Sequence, residues 1–257
     1  GQIWIGAANV NITPDQPVAI SGQFATRVAT EVEAPVTATA LALETRNADQ
    51  VEDQALIISC DLVGISAGVQ DQLRSRLKSQ LPDLDINKLF LNATHTHTAP
   101  VTTDGVYAIP AEGVMQPKEY VEFLLTRLAE AATTAWINRE EGGVSWGMGH
   151  AVIAYNRRTL YEDGNSRMYG PTNSSNFRGI EGYEDHGIEV LFFWDKQNKL
   201  IATAVNVACP AQEVESGRAV NADFWHEVRL QLRNQYGDQL QLSGWIGAAG
   251  DQSPHLR

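Results

Sequence analysis

The sequence is poor in cysteine, in basic residues and in long apolar runs, and each shortage removes a class of protein. Two cysteines, Cys60 and Cys209, stand far apart in a chain of 257 residues. That number excludes a disulfide framework, and neither residue sits in a Cys-x-x-Cys motif. One long-range disulfide in an oxidising compartment, or two separate thiols, stays open. No run approaches the roughly eighteen apolar residues of a membrane-spanning helix. The 19 Lys and Arg are outnumbered by 31 Asp and Glu, a net charge of −12. Such a surface repels phosphate backbones, which excludes nucleic acid as a partner. The start, GQIWIGAANVNITP, has neither the basic nor the apolar stretch of a secretory leader. With the acidic composition, this reads as a secreted or periplasmic protein whose signal peptide has been removed, against the alternative of a cytoplasmic one.

What the chain does have is two hydrophobic periods in alternation. Residues 36–44 (VTATALALE) alternate at period two, and 55–59 (ALIIS) form a short apolar run ending at Cys60 and Asp61. Both read as strands. Across 66–80, Val69, Leu73 and Leu77 recur at every fourth position, the stripe of an amphipathic helix. A strand over 88–92 (KLFLN) leads into ATHTHTAP, and 118–138 is a long helix of good formers. The second half predicts a strand pair within 143–156 and strands over 188–194 and 200–208 joined by a turn. A helix over 224–236 and a short strand over 242–246 follow. Strands alternating with helices predict an α/β class, with mixed, partly parallel β-sheets and flanking helices. Ligands in such sheets gather at the carboxyl ends of strands. Polar clusters fall there: Asp61, then His95 and His97, then Cys209 and Gln212, then residues 251–255. The stretch 160–185 lacks periodicity and is rich in Gly, Asn and Ser. A loop that long is a lid or binding loop, or a disordered insertion.

Four segments carry chemistry-bearing side chains. Thr94-His95-Thr96-His97 directly follows a strand, and in extended backbone residues two apart face the same side. The imidazoles can then act as two metal ligands, as one ligand beside a proton-handling group, or as two ordinary hydrogen-bonded histidines. In GAAGDQSPH (247–255), glycines permit close backbone approach and Pro254 holds Ser253 extended. The Ser253 hydroxyl can bind substrate or act as a nucleophile, against the plainer reading of a Gly-Pro turn with a capping serine. The segment is not a GxSxG elbow, which argues against an α/β-hydrolase. AYNRR (154–158) offers an arginine that clamps a carboxylate or stabilises an oxyanion, or else a pair of surface charges. In CPAQE (209–213), Cys209 is a small buried hydrophobe or, near two histidines, a zinc ligand.

In order and spacing, these segments resemble the neutral/alkaline non-lysosomal ceramidase family over essentially the whole chain. IGAANVNITP is similar to that family's opening strand, and ISGQFATR followed by VTATALALE to its substrate-side loop and the strand after it. ATHTHTAP resembles its zinc-binding THTHSGP, AYNRR its NRSP-type arginine segment, and GAAGDQSPH its GDVSPN loop. NVACPAQ stands where the family has a strand ending in a zinc-binding His, and NADFW where it has an aspartate-containing segment. The resemblance implies one ceramidase-like catalytic domain over residues 1–257, from a divergent bacterial member. It implies zinc (Zn2+) held by His95 and, in place of the family's His, by Cys209. A thiolate there puts more negative charge on the metal and weakens its Lewis acidity. His97 is implied as a substrate contact or transition-state stabiliser, Arg157 as the group polarising the scissile carbonyl, and Ser253 as a residue at the reaction centre. Asp61, Asp251 and His255 are the expected substrate contacts, His255 replacing the family's Asn. The family draws a further Glu and Tyr ligand from beyond this loop, so a C-terminal portion of the domain is expected to be missing. His186 and His226 read as ordinary hydrogen-bonded histidines.

The expected function is a zinc-dependent hydrolase cleaving an amide (ceramide-like N-acyl) or related bond of a lipid or glycoconjugate. Trp194, Trp225 and Trp245 can equally stack on sugars, which keeps a glycolipid or other small-molecule substrate open. One alternative is a non-catalytic ligand-binding or accessory protein on the same scaffold with a degraded metal site. Another is a metal-free serine hydrolase pairing Ser253 with His97 or His255.

Overall fold

The structure, a computed structural model, describes residues 1–255. Its first half runs β1 (Gln2–Asn11), a short hairpin of β2 (Val18–Ile20) and β3 (Arg27–Ala29), and the long pair β4 (Thr37–Asn47) and β5 (Gln50–Cys60). Helix α1 (Ala67–Leu77), β6 (Leu89–Ala93) and the long helix α2 (Pro117–Ile137) follow. The second half opens with β7 (Glu140–His150) and four short strands: β8 (Tyr155–Asn156), β9 (Arg158–Tyr161), β10 (Ser166–Met168) and β11 (Phe177–Ile180). It closes with β12 (Gly187–Asp195), β13 (Leu200–Val207), α3 (Phe224–Tyr236), β14 (Gln241–Ile246) and β15 (Gln252–Ser253).

Eight strands form one sheet in the order β14-β13-β12-β7-β1-β4-β5-β6. The pairs β5–β6 and β13–β14 are parallel and the others antiparallel, the mixed α/β arrangement expected. Period-two alternation gives the central strands two apolar faces. Ala8, Val10, Ala38, Ala40, Ala42, Leu56 and Ile58 face one way, into the core beneath α1 and α2. Ile5 and Leu41 face the other way and pack on Phe193, Ala202 and Ala204 of the second half. The sheet therefore folds over on itself, and β14 lies across β4, β5 and β6. Ser59 Oγ and Asn92 Nδ2 donate to the Gly244 carbonyl at 2.6 and 3.0 Å, tying the two halves together.

Helix α2 begins with Pro117 at its first position, where a missing N–H costs nothing, and the Glu119 carboxylate accepts the Gln116 backbone N–H at 2.7 Å. Its buried stripe runs from Tyr120 through Leu124, Leu128 and Ala131 to Ala135. At Gly6 the helix meets β1 so closely that a Cβ would sit 1.9 Å from the Ala135 carbonyl oxygen. Helix α3 is seated by Asp223, whose carboxylate accepts from Phe224 N–H at 2.8 Å and Val214 N–H at 2.9 Å. Farther along, Arg229 forms a two-pronged pair with Asp61 at the end of β5, both contacts 2.8 Å. The loops after β6 and β13 meet at one corner, where Ala211 N–H donates to the Thr94 carbonyl at 3.3 Å.

Two expectations change. The strand pair within 143–156 is one long strand, β7, and the two-residue β8. The aperiodic stretch 160–185 is ordered by a small sheet, β10-β9-β11, which removes the disordered-insertion alternative. Both cysteines are buried and free, so no disulfide joins them. Among the described residues no helix is long and apolar enough to cross a membrane.

Candidate functional site

His95 and His97 occupy the loop after β6, but not in the extended backbone assumed from their spacing: His95 has φ 63°. A non-glycine residue in the left-handed region is strained, and such strain is held in place by its surroundings. Here His95 Nδ1 lies 2.6 Å from the Val63 carbonyl. A carbonyl only accepts, so Nδ1 carries the proton and Nε2 presents a bare lone pair. His97 Nε2 faces it at 3.2 Å.

The seat of His97 is built from three sides. Gly22 (φ 103°) brings the β2–β3 turn so close that a Cβ would come within 2.4 Å of the His97 side chain. Arg27, buried at the start of β3, donates to the carbonyls of His97, Ser21, Glu215 and Gly217. Glu215 Oε2 lies 3.2 Å from His97 Nδ1, and the Gln212 amide nitrogen 2.6 Å from Nε2. Burial, then the neighbouring His95, Arg27 and Arg157, push the His97 pKa down to about 4. The ring is therefore neutral near pH 7. Nδ1–H donates to Glu215, and Nε2 accepts from Gln212.

That assignment leaves the His95 Nε2 lone pair facing a His97 Nε2 whose own lone pair is taken by Gln212. Both rings turn a lone pair to a cation only when the Gln212 amide swings away. Two nitrogen ligands on a tetrahedral zinc at ~2.0–2.1 Å lie about 3.3 Å apart, so the pair fits a metal as two of its ligands. Among the described residues no group of three or more His, Cys, Asp or Glu side chains could hold one. Cys209 is not brought to the pair. Its thiol donates to the Ile153 carbonyl at 3.3 Å, amid Ala154, Val205 and Trp225. Burial pushes that thiol up to about 12, and it packs as a small hydrophobe.

From Gln212 the contacts continue. Arg157 Nη1 approaches Gln212 Oε1 at 3.4 Å and Tyr169 Oη at 3.3 Å, while Nη2 donates to the Gly250 carbonyl at 2.9 Å. Tyr169 Oη donates to Ser253 Oγ at 3.3 Å, and the His255 backbone N–H reaches the same oxygen at 3.2 Å. His255 Nε2 returns to the Gln212 carbonyl at 2.8 Å. His95, His97, Arg157, Ser253 and His255 are thus joined in one network. Asp251 lies at its edge, accepting from Asn156 Nδ2 at 2.9 Å. Asp61 is elsewhere: it has no exposed surface and spends its oxygens on Arg229, Thr37 and Thr94. It holds Thr94, the residue before His95, and is shielded from solvent. Trp225 is equally buried against the sheet and offers no face for a sugar.

Sequence reasoning left out Tyr169, Glu215 and Arg27, and took Gln212 only as part of a strand-end cluster. Tyr169 comes from the aperiodic stretch, which no local pattern connects to Ser253. A cleft of about 680 Å³ opens onto His95 and His97, lined also by Gly22, Phe24, Val63 and Tyr107. Ser253 is fully buried behind Gln212 and Tyr169.

No protein-family model matches the sequence, and no curated protein does. Among solved structures, the fold is similar to neutral ceramidase from Pseudomonas aeruginosa, with a TM-score of 0.80 at 17% identity, covering 100% of this chain and 40% of that one. It is also similar to a ceramidase complexed with C2, with a TM-score of 0.76 at 17% identity, covering 98% and 39%. The resemblance carried by the motifs therefore extends to the three-dimensional fold. The chain spans about 40% of the length of these proteins.

Proposed function

We propose that this chain carries the reaction centre of a zinc-dependent hydrolase that adds water across an amide bond, releasing acid and amine, in a ceramide-like lipid or related glycoconjugate. The observation that supports it is the run of contacts from the Val63 carbonyl through His95, His97, Gln212, Arg157 and Tyr169 to Ser253. It lies at the strand ends of a fold shared with ceramidases.

His95 and His97 would hold the zinc, which when bound polarises an acyl oxygen or lowers the pKa of water. This assigns His97 to the metal, where the resemblance alone implies a substrate contact, and leaves Cys209 a packing role. Arg157, braced on Gly250 and Tyr169, offers N–H groups to the oxygen that gains negative charge as the carbonyl is attacked. Ser253 Oγ accepts from Tyr169 and the His255 N–H, donors that stabilise negative charge on that oxygen. For substrate to reach it, Tyr169, itself 40% exposed, turns aside.

The test pairs elemental analysis with release of free amine from a short-chain ceramide. After zinc reconstitution, near-stoichiometric metal is expected in the parent chain and in Cys209→Ser, and its loss in His95→Ala and His97→Ala. Arg157→Ala is expected to lower turnover by about 10²–10³. A second reading, a non-catalytic ligand-binding protein, is favoured by the missing third ligand among the described residues. Neither metal nor amine release after reconstitution would establish it and sink the hydrolase.

A further inference from the structure

Phe24 is the most exposed large apolar residue among the described residues, at 105%. Scattered single hydrophobes on a surface need no explanation, but this one is neither scattered nor free to fold back. Its turn joins β2 to β3 and is clamped on both flanks. Gly22 N–H donates to Tyr107 Oη at 3.1 Å, Tyr107 Oη donates to the Gln23 carbonyl at 2.8 Å, and Gln23 Nε2 reaches the Glu215 carbonyl at 3.1 Å. Arg27 holds Ser21 from beneath. A phenyl ring fixed in water by polar clamps is preorganised for an apolar contact, because the backbone entropy of holding it there is already spent.

The ring stands on the lining of the cleft that opens onto His95 and His97. On the same lining are Val106, itself 59% exposed, with Val63, Ile65 and Val101 deeper in. Among the described residues no Asp, Glu, Lys or Arg lines this cleft, although the chain carries 19 basic and 31 acidic residues. Its polar groups are hydroxyls, amides and the two imidazoles. Such a lining desolvates an uncharged ligand at little cost and offers no partner to a charged one.

We propose that Phe24 and Val106 form a fixed apolar jaw that takes an aliphatic chain of an uncharged ligand and sets its chain-length preference. This rests on the hydrolase reading only in taking the cleft to lead to the reaction centre. Contact with the ring shields several methylenes from water, and each fully buried methylene is worth roughly a fourfold change in affinity.

The experiment measures equilibrium binding, by fluorescence anisotropy below micelle-forming concentration, of two neutral fluorophore amides with acetyl or dodecanoyl chains. The parent chain should prefer the dodecanoyl probe by roughly tenfold to a hundredfold. Phe24→Ser, a surface change that disturbs no packing, should erase most of that preference without weakening the acetyl probe. Phe24→Leu should restore it, since apolar area and not the ring is what the chain needs. A preference that persists in Phe24→Ser, or is absent in the parent, overturns the jaw. Loss of binding to probe-free phosphatidylcholine vesicles with chain preference unchanged would make Phe24 a lipid-surface wedge and overturn it too. Chain preference without amide cleavage would sink the hydrolase and leave the jaw. Cleavage with unaltered preference in Phe24→Ser would do the reverse.

Discussion

Asp61 accepts from both terminal nitrogens of Arg229, from the Thr37 backbone N–H and from Thr94 Oγ1, with no part of it in contact with solvent. A strand-end aspartate and a ligand-binding aspartate look alike in sequence, and what separates them is a partner on α3, far along the chain. Removing Arg229 leaves an unpaired buried carboxylate, so Arg229→Leu is expected to destabilise the fold by about 3–5 kcal/mol in urea unfolding. The double change Asp61→Leu with Arg229→Leu should recover most of that loss, because paired burial of charge adds little net stability. A double variant as unstable as the single would show that Thr37 and Thr94, not the charge, are what the fold requires. His95, His97, Arg157 and Ser253 each sit in a short motif that marks them, although each motif is weak alone and only the resemblance groups them. Gln212, Glu215 and Tyr169 carry no such mark. Their place depends on which loops meet.

At the scale of elements, legibility followed burial. Helix α3 spans the residues its pattern predicts, and α2 differs by one residue at each end; α2 buries a broad apolar stripe, while α3 buries Trp225 with Phe224, Val228 and Leu232 partly covered. Strand β5 begins at Gln50, well before the apolar run that marked it, since its first turn-side residues are solvent-exposed and leave no hydrophobic period. The strands β9, β10 and β11 were unreadable for a related reason: they are short, and their register comes from contacts such as Thr159 Oγ1 to the Gly170 carbonyl at 3.0 Å. That small sheet is nonetheless what carries Tyr169 to Ser253. The packing of α2 on β1 has one vulnerable point, Gly6. A methyl group there overlaps the Ala135 carbonyl, which belongs to a helix backbone and cannot rotate away. Gly6→Ala should therefore lower stability by ~1–3 kcal/mol, read as a fall in melting temperature, with the long helix displaced from the strand. An unchanged melting temperature would mean that α2 slides without cost and that the α2–β1 contact is not close-packed.

At the scale of the whole molecule, the site exists because one sheet folds across itself. The loops after β6, β13 and β14 start on different strands, and only the crossing of β14 over β5 and β6 brings them to one corner. No local pattern specifies that crossing, although both parallel pairs, whose carboxyl ends it gathers, were within the expected mixed sheet. The same scale separates the surface from the cleft. The chain carries a net charge of −12, while among the described residues the cleft has no Asp, Glu, Lys or Arg in its lining. Long-range steering thus acts on the ligand's charge before the cleft meets it, and screening sets in within about 10 Å at 0.1 M salt. An anionic analogue of the substrate, with a phosphate on its headgroup, should bind more weakly than the neutral parent at ~20 mM salt, and the gap should narrow several-fold by ~200 mM. The neutral compound should show almost no salt dependence. Isothermal titration at the two salt concentrations reads both quantities. Tighter binding of the anion at low salt would mean that Arg157 or a zinc bound at His95 and His97, and not the net charge of the chain, governs how the ligand is met.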